Sequence, residues 1–221
     1  MMKCCAHCRV IDDKFGRKVA QGDLRRYRRR GPGDTTARLL ALVREPPLED
    51  VTLLDVGGGI GVLVHELVGS EARSAVLVDA SSAYLAVATA EAVSRGIADR
   101  VRVLHGDFLE VARDLDAADV VTLDRVVCCY PDYRALLAAA ARKSRKLLAL
   151  SYPRDRWYVR LVIALENFAR RLRGDPFRTF VHPPEEMGRV LRGAGFAPRR
   201  THDGIVWQVV LFTRDGRAGG A

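Results

Sequence analysis

The stretch Val51–Leu63, "VTLLDVGGGIGVL", decides the fold. Its first half is a run of β-branched residues and leucine with no polar alternation, the pattern of a strand buried on both faces. Asp55 ends that run, and four of the five residues from Gly57 to Gly61 are glycine. Beyond them "GVLVHELVG" (Gly61–Gly69) carries apolar residues at helical spacing. Strand, glycine turn and helix in that order make the ligand-binding corner of an open α/β sheet, because a turn without Cβ atoms lets a ligand approach the backbone.

The same alternation continues on either side. "DTTARLLALVRE" (Asp34–Glu45) reads as a helix, "SAVLVD" as a strand, "SSAYLAVATAEAVSRG" as a helix and "VRVLHGD" as a strand. "DFLEVARDL" gives a helical turn, and "ADVVTLD", "DYRALLAAAARKS" and "RKLLALSYP" repeat strand, helix, strand. "FAPRRTHDG" leads directly into "GIVWQVVLFT" (Gly204–Thr213), which predicts an antiparallel pair at the end of the sheet. The expected architecture is a doubly wound, mostly parallel seven-stranded sheet with an antiparallel C-terminal strand, plus an N-terminal helical segment and a helical lid. The chain then divides into a basic N-terminal segment (1–33), a ligand-binding core (34–153), a lid or substrate insertion (154–184), a final helix and strands (185–214) and a tail (215–221).

The glycine spacing narrows the ligand. A phosphate loop needs Lys and Ser/Thr after its last glycine, and neither follows Gly61. A dinucleotide fingerprint needs G-x-G-x-x-G, whereas Gly57, Gly59 and Gly61 are spaced two and two, with Gly58 extra. Asp55 at the strand tip repels a diphosphate and suits a ligand that carries an ammonium and a sulfonium.

"LLDVGGGIG" resembles the first motif of the class I S-adenosylmethionine-dependent methyltransferases, and the family's later motifs occur in order. The resemblance implies a Rossmann-like fold and S-adenosylmethionine as cofactor. It assigns Asp55, Gly57, Gly58, Gly59 and Gly61 to the donor's methionine end, and Asp79 with Ala80, after "AVLVD", to the ribose hydroxyls. Gly106, Asp107 and Phe108 of "HGDF" fall at the adenine, Asp124 and Arg125 of "LDRV" at the methyl end, and Tyr27 approaches from a covering N-terminal helix. "LDRVVCCYPDY" lacks the D/N-P-P-Y/F pattern of base and amide methyltransferases, so nucleic acid is not the expected substrate. That segment and "YPRDRWYVRLVIALENFARRLRGDPFRTFVHP" are similar to small bacterial methyltransferases related to the magnesium-protoporphyrin O-methyltransferases, which implies a carboxylate acceptor. A carboxylate is already ionised at neutral pH and needs no strong general base.

Tyr130, Tyr152 and His182 are the polar groups expected near that acceptor. Cys128 and Cys129 raise a competing reading, methylation of a thiophilic species, while a non-catalytic or RNA-binding relative of the fold is the third. Cys5, His7 and Cys8 of "CCAHC" are soft ligands, yet no second ligand pair follows, so no metal is expected. Five cysteines without an apolar leader predict reduced thiols and a cytoplasmic protein. The net charge of +9, concentrated in "GDLRRYRRRGPG" and "ARRLRG", fits an acidic small molecule, an anionic surface or simply solvated arginine. The lid candidate Asp155–Gly174 is apolar almost all round from Trp157 to Phe168, with arginines before, within and after, and is expected to bury both faces, against the sheet domain and against substrate, a membrane interface or a second chain. An ordinary core helix is the plainer alternative.

Overall fold

The computed structural model describes residues 6–215, with side chains from Val10. The thiol-rich set Cys4, Cys5, His7 and Cys8 and the tail from Gly216 lie outside those descriptions. Three helices come first: α1 (Ala6–Lys14), α2 (Arg17–Arg30) and α3 (Asp34–Arg44). The alternating core runs β1 (Val51–Val56), α4 (Val62–Leu67), β2 (Ala72–Asp79), α5 (Ser82–Ser94) and β3 (Val101–His105). It continues through α6 (Phe108–Val111), β4 (Ala118–Asp124), α7 (Tyr133–Lys143) and β5 (Ser144–Pro153). Helices α8 (Trp157–Leu172) and α9 (Pro184–Gly193) precede β6 (Phe196–Asp203) and β7 (Trp207–Arg214).

The seven strands lie in the order β3-β2-β1-β4-β5-β7-β6. Neighbours from β3 to β5 are parallel, and β7 is antiparallel to both β5 and β6. The fold is therefore the expected Rossmann-like one, with β7 as the reversed strand. Gly204–Val206, read as the start of the last strand, instead makes the turn between β6 and β7.

The sheet's two faces follow the two-residue period of its strands. Leu54 and Val56 join α6, α7 and α9 through Val111, Leu136, Leu137 and Leu191. Val51 and Leu53 join α3, α4 and α5 through Leu39, Val43, Val64 and Ala88. Strand order reverses between β1 and β4, so a crevice opens beyond their carboxyl ends, where such sheets bind ligands.

Helix α8 overturns the plainer alternative for 155–174, an ordinary core helix. It buries Val159 and Ile163 and leaves Trp157, Leu161, Leu165, Phe168 and Leu172 between 51% and 76% exposed. It is not a core helix, since one side alone meets the domain.

Candidate active site

A cavity of about 680 Å³ lies beyond β1, β2 and β4, within the range of small-molecule sites. Its floor is the Gly57–Gly61 turn. Gly57, Gly59 and Gly61 all have positive φ, where a Cβ is strained. Gly58 does not, yet a Cβ there would overlap Asp55 Oδ2 and Leu77 Cδ1. The turn is held from outside the cavity by His65, whose Nε2 donates to Ile60 O at 2.9 Å. Burial keeps that imidazole's pKa below its ordinary value, so His65 is a neutral buttress of the turn.

Three carboxylates from three strand ends meet this floor. Asp55 is fully buried; its Oδ1 accepts from Thr122 at 2.7 Å and its Oδ2 has no partner. Burial pushes its pKa up to about 8, with the nearby Asp124 and Asp79 adding to the rise against the Thr122 bond. Asp79 accepts from the Gly59 and Ser81 amides at 2.8 and 2.7 Å. Burial raises its pKa as well, and those two amides oppose the rise. Ser81, not Asp79, caps α5, accepting from Tyr84 N at 3.1 Å. Asp124 accepts from Thr36 at 2.5 Å and from the Ser151 hydroxyl. Asp107 caps α6 by accepting from Leu109 N at 2.9 Å, and also accepts from the Tyr130 hydroxyl.

Asp55, the four glycines but Gly61, Asp79, Ala80, Gly106, Asp107, Phe108, Asp124 and Arg125 all line this one cavity, and Gly61 closes the turn beneath it. Tyr27 lines it too, with its hydroxyl donating to Glu66 at 2.7 Å and Arg95 over its ring, which makes it a clamp between α2 and α4. The residues expected near the methyl acceptor are not brought together. Tyr130 lines the cavity but bonds Asp107, at the end assigned to adenine. Tyr152 lies in the core with Leu148 and Leu150, because all three share one face of β5. His182 packs on Tyr133 at 4.2 Å, and its Nε2 lies 3.1 and 3.0 Å from the Val127 and Tyr130 carbonyls. Neither Tyr152 nor His182 lines the cavity.

The N-terminal cover was expected, but Tyr27 was the one residue named in it. Ile11, Phe15, Val19 and Asp23 come over the cavity from α1, α2 and their junction. Phe15 stacks on Tyr84 at 5.5 Å, Tyr84 donates to Asp23 at 2.7 Å, and Asp12 accepts from Ser82 N at 2.8 Å. The apolar residues of "RVIDDKFGRKVA" carried that signal. Cys129 also lines the cavity, with its sulfur 3.8 Å from that of the buried Cys128. Hydrogen bonding with Cys128 pulls the Cys129 thiol pKa down, and Arg170 and Arg125 act in the same direction.

Residues 53–146, which hold this floor and its carboxylates, match the family model described as a methyltransferase domain. Residues 53–146 form a methyltransferase domain. No curated protein matches the sequence. Among solved structures, magnesium protoporphyrin IX methyltransferase from Synechocystis PCC 6803 with bound SAH superposes with a TM-score of 0.72 at 17% identity, over 93% of this chain and 99% of that one. An O-methyltransferase family protein from Burkholderia thailandensis gives 0.70 at 18%, over 95% and 62%. A putative sarcosine dimethylglycine methyltransferase from Galdieria sulphuraria gives 0.64 at 14%, over 81% and 85%. At these identities the likeness is one of fold, and it extends beyond the methyltransferase domain to most of the chain.

Proposed function

We propose that the protein binds S-adenosylmethionine on the Gly57–Gly61 floor and passes its methyl group to an oxygen of an acidic small molecule, a carboxylate. Bound there, the donor supplies an activated methyl group on a sulfonium sulfur. The residues fit it: the unpartnered, buried Asp55 Oδ2 suits an ammonium, and Gly57, Gly58 and Gly59 line the cavity with bare backbone that a ligand can approach. Asp79 keeps lone pairs for a ribose diol beyond the two amides it accepts from. Asp107 and Phe108 border the adenine end.

The observation that carries the acceptor class is the sorting of charge by depth. Asp55 and Asp79 are buried on the floor, facing a cationic donor, while Arg26, Arg30 and Arg125 are exposed at the rim. Arg30 pairs with no carboxylate among the described residues, and a guanidinium recognises a carboxylate in bidentate fashion. An ionised acceptor needs no base, and the described lining contains no histidine or lysine. Catalysis then consists of alignment and exclusion of water, which the α1–α2 cover supplies. Magnesium protoporphyrin IX, named for one structural relative, carries carboxylates of this kind as propionates, so a tetrapyrrole belongs among the acceptors tested.

Labelled-methyl transfer against carboxylate, phenol and amine panels tests the reading; label in the carboxylates is expected, and label confined to amines overturns it. Arg30→Glu is expected to raise the acceptor KM about tenfold, the worth of one charged hydrogen bond, with donor affinity unchanged. Asp79→Ala is expected to weaken donor binding by calorimetry roughly a hundredfold, since two charge-assisted bonds are lost. A second reading, a thiophilic acceptor such as arsenite, is favoured by Cys129 alone; an arsenite arm that Cys129→Ser abolishes would replace the carboxylate.

A further inference from the structure

No helix among the described residues is long and apolar enough to cross a membrane. Helix α8 nevertheless exposes Trp157, Leu161, Val162, Leu165, Phe168 and Leu172, most of the large apolar side chains exposed among the described residues. Trp157, Leu161, Leu165, Phe168 and Leu172 follow one another at spacings of four, four, three and four. At 3.6 residues per turn that places them within an arc of roughly 80°, opposite the buried Val159 and Ile163. The stripe continues onto the turn between β6 and β7, where Ile205 is 81% exposed and its carbonyl accepts from the Tyr158 hydroxyl at 2.9 Å. Isolated exposed leucines need no explanation, but a contiguous stripe of this kind marks a surface that something covers.

The charges around the stripe identify what covers it. Six arginines lie between Arg154 and Gly174, against two acids, Asp155 and Glu166. Arg160 pairs with Asp155, Arg170 with Glu166 at 3.0 Å, and Arg154 with Asp203 at 3.1 Å. Arg156, Arg171 and Arg173 are exposed and pair with no carboxylate among the described residues. Helical spacing sets Arg160 and Arg171 on one shoulder of the stripe, and Arg156 and Arg173 flank its two ends as the N-cap and C-cap residues. A second copy of the chain laid on this face would bring the same excess of positive charge against itself. A surface that is apolar within and negatively charged at its edge complements both the stripe and its shoulders, and an anionic lipid bilayer has that profile.

We infer that α8 lies in the interface of anionic phospholipid membranes, with the Trp157–Leu172 stripe among the acyl chains and Arg156, Arg171 and Arg173 at the headgroups. The helix docks from outside the cavity and leaves the donor site untouched, so the inference stands apart from the acceptor proposed above.

Co-sedimentation of the full chain with phosphatidylcholine vesicles, with and without phosphatidylserine, tests it. Partition onto the anionic vesicles is expected to be at least about tenfold stronger, by the attraction of three free arginines, and to weaken as salt is raised. In a Trp207→Phe background, Trp157 emission is expected to shift to the blue on those vesicles. Leu165→Glu with Phe168→Glu is expected to abolish both effects while donor affinity and the thermal midpoint stay as in the wild type, because both side chains are exposed. Should that pair lower the midpoint, Leu161→Glu with Leu172→Glu carries the same test. Absence of binding, equal partition onto neutral vesicles, or undiminished binding by the folded variant overturns the inference. A dimer by size exclusion that the glutamates dissociate also overturns it, by naming a second copy as the cover.

Discussion

Gly58→Ala is expected to abolish donor binding and to lower folding stability by roughly 3 kcal/mol, the upper range for forcing a methyl into a packed core. Among the four glycines Gly58 alone lacks a positive φ, although a Cβ at Gly57 would also collide, with Val126. Gly57, Gly59 and Gly61 have positive φ, so a side chain there costs backbone strain of roughly 1 kcal/mol. At Gly58 the cost is collision, because the new Cβ would overlap Asp55 Oδ2 and Leu77 Cδ1. Neither neighbour can retreat: both are fully buried, and Asp55 is fixed by its 2.7 Å bond from Thr122. Whatever movement relieves the overlap displaces the Asp55 carboxyl and the turn together. Gly59→Ala is the control, since a Cβ there meets only the Tyr84 ring at 3.8 Å. Its loss of stability is expected to stay near the strain value. Denaturant unfolding and calorimetric titration of the two variants decide the point; equal losses at both positions would mean that the turn repacks freely.

The strand-end carboxylates were legible in the sequence because each ends a recognisable apolar run and precedes a glycine or a cap. Asp55, Asp79, Asp107 and Asp124 therefore reached one cavity by topology alone. Their partners were not legible. Thr36 and Ser151 bond Asp124 from 88 and 27 residues away, and nothing local announces such a meeting. Tyr152 was misplaced by one residue of strand parity: Ser151 is the β5 residue that pairs in register with Asp124, while Tyr152 follows Leu148 and Leu150 into the core. His182 follows a long excursion from the sheet, and its ring is taken up by carbonyls of the segment after β4. Helix α8 shows a different limit. Composition said that it was apolar on all sides, but periodicity has no means of saying which side the domain would leave bare.

Donor affinity is expected to rise with pH between about 6 and 7.5, by up to tenfold per pH unit, and Asp55→Asn is expected to remove that dependence along with most of the affinity. The cause is the Asp55 pKa of about 8 against an ordinary 3.8, raised first by burial. In this pH range the ligand-free carboxyl is largely protonated, whereas a neighbouring ammonium favours the ionised form, so binding expels a proton and is favoured by raising pH. Calorimetry in buffers of different ionisation enthalpy would count that proton directly. The same shift has the opposite sign for stability. A folded-state pKa above the unfolded one means that the native chain holds more protons, so this contribution is fully present below pH 3.8 and is lost as pH rises towards 8. Relative to Asp55→Asn, the ligand-free wild type is expected to lose on the order of several kcal/mol across that window, and a saturating donor is expected to restore stability most at the alkaline end. Wild type and variant that lose affinity and stability in parallel with pH would show instead that Asp55 is ionised before the ligand arrives, held by solvent or by a shift of the Gly57–Gly61 turn.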